Sequence, residues 1–296
     1  MKKHILLLTG FSLIWSMLPA QQLSISTPNT SLVLEAPAGG ELKYLYYGNR
    51  LTDNDLQNLS CSGSPTFSAY PVYGMNCPGE TALAVRHADG NMTLQMEVIK
   101  SDTKDNDKDV TTTIYLKDKV YPFYVNVCYK AYKDVDVIET WTEISHDEKK
   151  AVTLNQFASA YLPIRRGNVW LSSLYGSWGN EARLNQEPLH PGMKVIANRD
   201  GVRNSHTSHA EVMFSLDGKP QENTGNTIGA ALCYSGNYKL RINTDDGDYH
   251  QFYAGINEEN SAYNLPKDEV FRTPALALTY TCLLYTSDAA DDRISV

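Results

Sequence analysis

The sequence predicts an all-β protein that folds as one large antiparallel sandwich with little helix. Runs rich in Val, Ile, Thr, Tyr and Trp recur along the chain, and clusters of Gly, Pro, Asn and Asp separate them. Hardly any stretch has helical periodicity, and many antiparallel strands at hairpin spacing typically pack as a sandwich. The predicted strands are 111–116, 121–131, 135–145, 152–161, 169–177, 227–234, 238–244 and 249–256.

Residues 1–20 have the pattern of a secretory signal. Lys2 and Lys3 precede a mostly apolar run, and Leu18-Pro19-Ala20 ends in a small residue. The segment is too short and too lightly flanked for a spanning helix. We therefore expect cleavage near Ala20 or Gln21 and an exported protein, periplasmic or extracellular, without membrane attachment after the signal is removed.

Turn signals predict hairpins at two places. Asp89-Gly90-Asn91 separates an apolar run over 81–87 from another over 92–99. Asp245-Asp246-Gly247-Asp248 follows the strand that ends at Thr244 and precedes the next strand. Each pair of flanking strands is therefore expected to be hydrogen-bonded to each other.

Two short segments complete the local prediction, a helical turn over 52–59 and a solvated hairpin tip over 101–109. The tip contains Asp105-Asn106-Asp107-Lys108-Asp109, which invites a calcium-loop interpretation. Such a loop needs Gly where Val110 stands and Glu where Leu116 stands. The segment is therefore not predicted to bind calcium.

The C-terminal residues 282–296 differ from the rest of the chain. Cys282-Leu283-Leu284-Tyr285-Thr286-Ser287-Asp288 and the acidic residues after it resemble a translated sequencing-adapter read-through. The alternative is a natural polar tail. We expect the tail to be non-native, residues 21–281 to form the native N-terminal domain, and the chain to be a fragment of a longer protein.

The charge pattern disfavours nucleic acids and anionic membranes as partners. The formal net charge is −8 and no basic block occurs. The cysteines form no C-x-x-C pair, which disfavours a zinc or redox motif. Cys128 and Cys233 lie in apolar runs and are predicted to be buried. Cys61 and Cys77 flank a loop rich in Gly, Pro and Ser and are either bridged or free.

The most informative motifs lie between residues 170 and 257. They are Tyr175-Gly176-Ser177-Trp178-Gly179-Asn180-Glu181-Ala182-Arg183, Gly201-Val202-Arg203-Asn204-Ser205-His206, Tyr234-Ser235-Gly236-Asn237 and Ala254-Gly255-Ile256-Asn257. Aromatic, Ser, Asn, Gly and His residues thus crowd the ends of β-branched runs. This placement favours a polyhydroxylated ligand over a lipid or a nucleic acid.

In the same order, these motifs resemble the N-terminal domain of bacterial α-galactosidases of glycoside hydrolase family thirty-six, over about residues 30–281. The resemblance implies a β-supersandwich of the galactose-mutarotase type. It also implies a parent enzyme, a homo-oligomer without a cofactor, that releases terminal α-linked galactose from oligosaccharides with retention.

The catalytic residues of that family lie outside the present chain. Retaining hydrolysis uses two carboxylates about 5 to 5.5 Å apart. In the family these are aspartates of a later (β/α)8 barrel, the first in a Lys-Trp-Asp motif, which this sequence lacks. We therefore predict no catalytic residue here and no hydrolase activity of the chain alone. A free-standing carbohydrate-binding sandwich is the alternative.

The resemblance also marks a loop at 73–82. The family pattern has Asp where Cys77 stands and Arg where Gly79 stands. The resemblance therefore does not extend to direct sugar contact by these two positions, and Asn76 or Glu80 is the alternative source of hydrogen bonds.

Four further residues are candidates for substrate binding or for docking to another domain: Trp178, Glu181, His206 and Asn237. A Trp face can stack on galactose and a carboxylate can accept sugar hydroxyls, but domain docking would use the same side chains and is favoured for Trp178 and Glu181. For Asn237, a turn at a strand end is the competing interpretation.

The histidines allow two other hypotheses. His206 and His209 have metal-ligand spacing with Glu211 nearby, but no helix places both rings on one face, so no metal site is predicted. In an aldose mutarotase-like enzyme, His206 or His209 would act as acid or base together with Glu181 or Glu211.

Overall fold

The computed structural model describes residues 21–59, 68–75, 79–164, 167–203, 205–259 and 261–282. In these residues the chain forms strands and one short helix, which in chain order are β1 (Gln21–Ser26), β2 (Thr30–Ala36), β3 (Lys43–Asn49), α1 (Asp53–Asn58), β4 (Leu83–Arg86), β5 (Met96–Asp105), β6 (Asp109–Asp118), β7 (Phe123–Tyr132), β8 (Val137–His146), β9 (Val152–Ile164), β10 (Trp170–Ser177), β11 (Asn180–Pro188), β12 (Gly192–Ala197), β13 (Ser208–Ser215), β14 (Thr227–Leu232), β15 (Tyr238–Thr244), β16 (His250–Ile256), β17 (Tyr263–Leu265), β18 (Val270–Arg272) and β19 (Leu276–Thr281).

The strands form three antiparallel sheets, which confirms the all-β sandwich. The largest has ten strands in the order β11-β10-β13-β14-β19-β8-β7-β6-β5, with β18 also paired to β8. A six-stranded sheet has the order β12-β15-β16-β9-β17, with β4 also paired to β9, and β1 to β3 form the third sheet. The two smaller sheets contact the largest one, through β9 against β8, β12 against β13 and β3 against β19.

The core lies between these layers because each strand alternates apolar and polar side chains. On β7, Phe123, Val125 and Val127 are buried whereas the side chains between them are half-buried. Phe214 of the ten-stranded sheet meets Phe252 of the six-stranded sheet with ring centroids 5.1 Å apart. Burial of each such side chain stabilises the fold by roughly 1.5–3 kcal/mol, which fixes the strand register.

Two predicted turns have different outcomes. The hairpin at Asp245-Asp246-Gly247-Asp248 is confirmed: β15 pairs with β16, and Asp245 Oδ1 accepts hydrogen bonds from the backbone N–H groups of Gly247 and Tyr249 at 2.8 and 2.9 Å. The predicted pairing of the two strands that flank Asp89-Gly90-Asn91 is wrong. The turn forms, with the Asn91 carbonyl 2.8 Å from the N–H of His87, but β4 pairs with β9 and β5 pairs with β6.

This error has a physical cause. A turn signal fixes the local reversal of the backbone but not the partner of the strand that enters it. Leu83 and Val85 of β4 are completely buried in the six-stranded sheet, and the chain then crosses to the ten-stranded sheet. The apolar face of β4 therefore selects β9 as its partner.

The two short segments agree with expectation. Helix α1 lies in the predicted 52–59 segment, and Thr52 caps it through a capping box with Asp55. The 101–109 segment contains the end of β5 and the exposed turn into β6, where the Asn106 N–H donates to the Asp109 carbonyl at 2.9 Å.

The predicted strands after residue 110 are all present, although β14 ends at Leu232 rather than at residue 234. Among the unpredicted strands, the exposed edge strand β11 and the three-residue strands β17 and β18 lack a strong apolar run. Strands β2, β13 and β19 have such a run and were missed.

One cysteine prediction is confirmed and one is wrong. Cys128 is 2% exposed on β7. Cys233 is exposed because β14 ends one residue before it, where the side chain leaves the core. Cys61 and Cys77 lie outside the described residues, as do the predicted signal and the tail after Cys282. Among the described residues, no helix is both long and apolar enough to cross a membrane.

Candidate functional site

Glu80 is held on the outer face of the six-stranded sheet by an ion pair with Arg241. Arg241 Nη1 donates to Glu80 Oε2 at 2.7 Å, and Nη2 donates to the Thr81 carbonyl at 3.2 Å. The side chains are 9% exposed for Arg241 and 41% exposed for Glu80. The carboxylate therefore faces solvent while the guanidinium is fixed below it.

The base of this cluster is aromatic. The Tyr253 ring centroid lies 5.0 Å from the Arg241 guanidinium carbon, and the Tyr253 hydroxyl donates to the Glu80 carbonyl at 2.6 Å. Tyr161 packs beside Tyr253 with ring centroids 5.0 Å apart. Because both rings and the guanidinium are buried, residues 80 and 81 are clamped to the strands below them.

Gly79 explains how closely the loop approaches the sheet. Its φ is +95°, and a β-carbon at this position would lie 2.3 Å from Gln251 Oε1 and 2.7 Å from Asn243 Nδ2. Those two amides are hydrogen-bonded to each other at 2.9 Å. A larger side chain at this position would displace the Gln251–Asn243 amide pair, so the observed contact between the loop and the sheet favours glycine.

A second charged cluster lies on the same face at the start of β15. Lys239 Nζ is 2.9 Å from Glu258 Oε1 and 3.7 Å from Glu259 Oε1. Arg199 also pairs with Glu259. The outer face thus carries alternating positive and negative groups that neutralise one another.

Trp178 and Glu181 lie at the tip of the β10–β11 hairpin. Trp178 is 86% exposed, and Glu181 is exposed as well. Gly176 allows the tip to close, because a β-carbon there would lie 2.8 Å from the Glu181 Cα. This hairpin tip presents an aromatic ring and a carboxylate to solvent, as a docking contact requires.

His206 and His209 occupy different environments. His206 is half-buried in the segment before β13, whereas His209 is on β13 with Nδ1 3.2 Å from Glu211 Oε1. Within the described residues, no group of three or more His, Cys, Asp or Glu side chains is arranged to hold a metal ion.

Asn237 supports a turn. Its side-chain oxygen accepts from the Gly201 N–H at 2.7 Å, and its carbonyl accepts from the Asn257 N–H at 2.9 Å. Asn198 and Asn257 complete the network, since Asn257 Nδ2 donates to the Asn198 carbonyl at 3.2 Å. Asn237 is thus committed to holding the ends of β12, β15 and β16 together. Asn76 lies outside the described residues.

Among the described residues, the Gly176 N–H donates to the Thr207 carbonyl at 3.1 Å, which brings the His206 segment beside the Trp178 hairpin. Glu80 is held by other residues, and its main partners were not predicted. Arg241, Asn243, Gln251 and Tyr253 are absent from the sequence-based candidates. A signal for them exists: on β15 and β16 the polar residues alternate with buried apolar ones, which places them together on the outer face.

Comparison with known proteins places this sandwich in a family. The model of the glycosyl hydrolase family 36 N-terminal domain matches residues 40–266. Alpha-galactosidase Mel36A of Lactobacillus acidophilus is 28% identical over 284 residues, which cover 85% of this chain and 38% of that protein. The bifunctional alpha-galactosidase/sucrose kinase AgaSK of Mediterraneibacter gnavus is 23% identical over 87% of this chain and 31% of its own length.

Solved structures agree in fold. The family 36 alpha-galactosidase AgaA of Geobacillus stearothermophilus, in complex with raffinose, superposes with a TM-score of 0.81 and 20% identity, covering 89% of this chain and 41% of the other. The present chain therefore spans about two fifths of the length of that enzyme. Through the match over residues 40–266, the chain belongs to glycosyl hydrolase family 36 and carries its N-terminal domain.

Proposed function

We propose that this chain is the N-terminal sandwich of an exported enzyme that hydrolyses terminal α-linked galactose from oligosaccharides. The observation that carries the proposal is the family match over residues 40–266. The names of the relatives support it, since they are alpha-galactosidases, and AgaA binds raffinose in its solved structure. Residues 1–20 support export.

In this proposal the chain is a structural domain and not the catalytic one. A retaining enzyme needs a nucleophilic carboxylate and an acid/base carboxylate facing the same glycosidic bond. Among the described residues near the family motifs, Glu80 is paired with Arg241 and Glu211 contacts His209. Both carboxylates are thus engaged by a basic side chain, which fits a supporting role.

The contribution of the sandwich is to dock against the catalytic domain and against other subunits. The exposed hairpin tip at Trp178 and Glu181 is the proposed contact, because an aromatic ring that is 86% exposed gains most from burial against a partner. Glu80 is proposed as a second contact, through the part of its carboxylate that faces solvent.

The test compares this chain with a longer product of the same gene. A chromogenic α-galactoside should not be hydrolysed by the purified chain, and it should be hydrolysed when the reading frame past codon 281 is restored from the source DNA. Hydrolysis by the chain alone would overturn the supporting role. A natural stop codon in the source DNA, with no barrel encoded after it, would overturn the parent enzyme.

A further inference from the structure

The open mouth of the sandwich between β10 and β12 contains a cleft that none of the functions above uses. Its volume is about 520 Å³, and the lining includes Ser173, Tyr175, Asn185, Lys194, Ile196 and Ser208. This size lies within the roughly 300–1,000 Å³ range of small-molecule sites.

The lining also includes Leu174, Val195 and Ala197, but its polar part continues the inner face of the sandwich, where apolar residues are expected. Ser173 pairs with Val212, which is buried in the core, and Asn185 pairs with Ser173 from the other side. Across the cleft, Lys194 is opposite Ile242 on the face that also carries Ile196. The core therefore ends here, and groups that form hydrogen bonds occupy its place.

The charges in the cleft are balanced. Lys194 Nζ pairs with the Glu187 carboxylate, which also accepts a hydrogen bond of 2.7 Å from Asn185 Nδ2. At the base, Ser208 Oγ lies 2.7 Å from the hydroxyl of the buried Tyr238. Because the Glu187 carboxylate already neutralises the charge of Lys194, the cleft does not select an anionic ligand.

Tyr175 supplies an aromatic wall of the cleft, and it is 50% exposed. An aromatic ring beside hydroxyl, amide and paired ionic groups is the combination that recognises a pyranose, whose C–H face stacks on the ring while its hydroxyls form hydrogen bonds. We propose that this cleft is a non-catalytic binding site for a neutral oligosaccharide. The proposal is independent of the hydrolase function, since it rests only on the cleft of this chain.

The experiment titrates the complete chain with three sugars by isothermal calorimetry and saturation-transfer NMR: raffinose, maltotriose and an acidic trigalacturonide. At least one neutral trisaccharide should bind and the acidic one should not. Tyr175→Ala should weaken binding by about tenfold or more through the loss of stacking. Tyr175→Phe should retain it because the ring remains.

Tyr263→Ala is the matched control, because Tyr263 is also a partly exposed tyrosine on a strand, 36% exposed on β17, and does not line the cleft. It should leave the affinity unchanged. If Tyr175→Ala does not fold by near-ultraviolet circular dichroism, Asn185→Ala takes its place and should also weaken binding. The proposal is overturned if no neutral sugar binds, if the trigalacturonide binds as tightly as the neutral sugars, if the cleft variants bind like the parent, or if Tyr263→Ala weakens binding as much as Tyr175→Ala does.

Discussion

The Arg241 guanidinium donates a 2.7 Å hydrogen bond to the Glu80 carboxylate, across 161 residues of chain. This contact joins the 79–82 loop to the middle of the six-stranded sheet. It ties a motif of the family pattern to the sandwich that carries it.

Arg241→Ala should lower the free energy of unfolding. The variant loses the ion pair, the hydrogen bond to the Thr81 carbonyl and the contact with the Tyr253 ring. We expect a loss of about 2 kcal/mol, because the 41% exposed Glu80 can be rehydrated but the Thr81 carbonyl and the ring lose their partner. Urea unfolding measures it.

Arg199→Ala is the control for that measurement, because Arg199 also pairs with a glutamate, Glu259, but is 66% exposed. It should change stability by less than about 0.5 kcal/mol. Equal losses in the two variants would mean that the contacts of Arg241 stabilise the protein no more than an exposed ion pair does.

Gly79→Ala should destabilise the protein more than Gly90→Ala. Both glycines have nearly the same φ, +95° and +94°, so the backbone strain of an alanine is shared. Only at Gly79 does the new β-carbon clash, at 2.3 Å from Gln251 Oε1, whereas Gly90 has nothing within 4 Å. We expect an additional cost of roughly 1–2 kcal/mol at Gly79, from the displaced amide pair.

Gly79→Arg, which restores the residue of the family pattern, should be at least as destabilising. The difference between Gly79→Ala and Gly90→Ala can be read from thermal unfolding. If both alanine variants lose the same amount of stability, Gly79 does not lie against the Gln251–Asn243 amide pair in solution.

The free energy of unfolding should fall as the pH drops below the ordinary histidine pKa of 6.5, partly because of His250. Burial lowers the pKa of His250 below its ordinary 6.5, and the hydrogen bond to the Gly167 carbonyl and nearby Asp248 and Asp245 oppose this only in part. The imidazole of His250 is therefore protonated at a higher pH in the unfolded chain than in the folded chain. The stabilisation is complete above pH 6.5 and is lost as the pH falls through 6.5 towards the lower folded pKa.

His250→Gln should reduce the slope of unfolding free energy against pH between about pH 7 and about pH 5. His190→Gln, at an exposed position, should leave the slope unchanged. Denaturant unfolding at several pH values measures both, and an unaltered slope in His250→Gln would contradict the assignment.

Native-state thiol labelling should modify Cys233 and spare Cys128. Burial raises the pKa of the Cys128 thiol to about 11, so it stays protonated and inaccessible near neutral pH. Cys233 is exposed. Peptide mapping by mass spectrometry after a brief maleimide pulse should find the label on Cys233, and equal labelling of both would mean that β7 opens readily. The same map, without reductant, tests the predicted alternatives at Cys61 and Cys77.

The sequence predicted those parts of the fold in which local pattern and tertiary partner agree. The β15–β16 hairpin has both a turn signal and adjacent apolar strands, so its pairing followed directly. At Asp89-Gly90-Asn91 the same kind of signal led to a wrong pairing, because the partner of β4 lies about seventy residues away on β9. The sequence around one strand does not identify a partner strand that lies so far along the chain.

The candidate site was predicted less completely than the fold. Glu80 was identified through a resemblance, but its partner Arg241 lies on a distant strand and is recognisable only from alternation on β15. The cleft at Tyr175 depends on where two sheets diverge, which no single stretch of sequence encodes.

Strand β19 has a consequence for the order in which the protein can assemble. It lies between β14 and β8 and is hydrogen-bonded to both, so it joins the β5–β8 meander to the part of the ten-stranded sheet formed by β10, β11, β13 and β14. During synthesis these two half-sheets must wait for Leu276–Thr281 to emerge from the ribosome, each with an open edge. Open edges favour pairing with other nascent chains, so the risk of aggregation of these two parts should be highest before β19 is made.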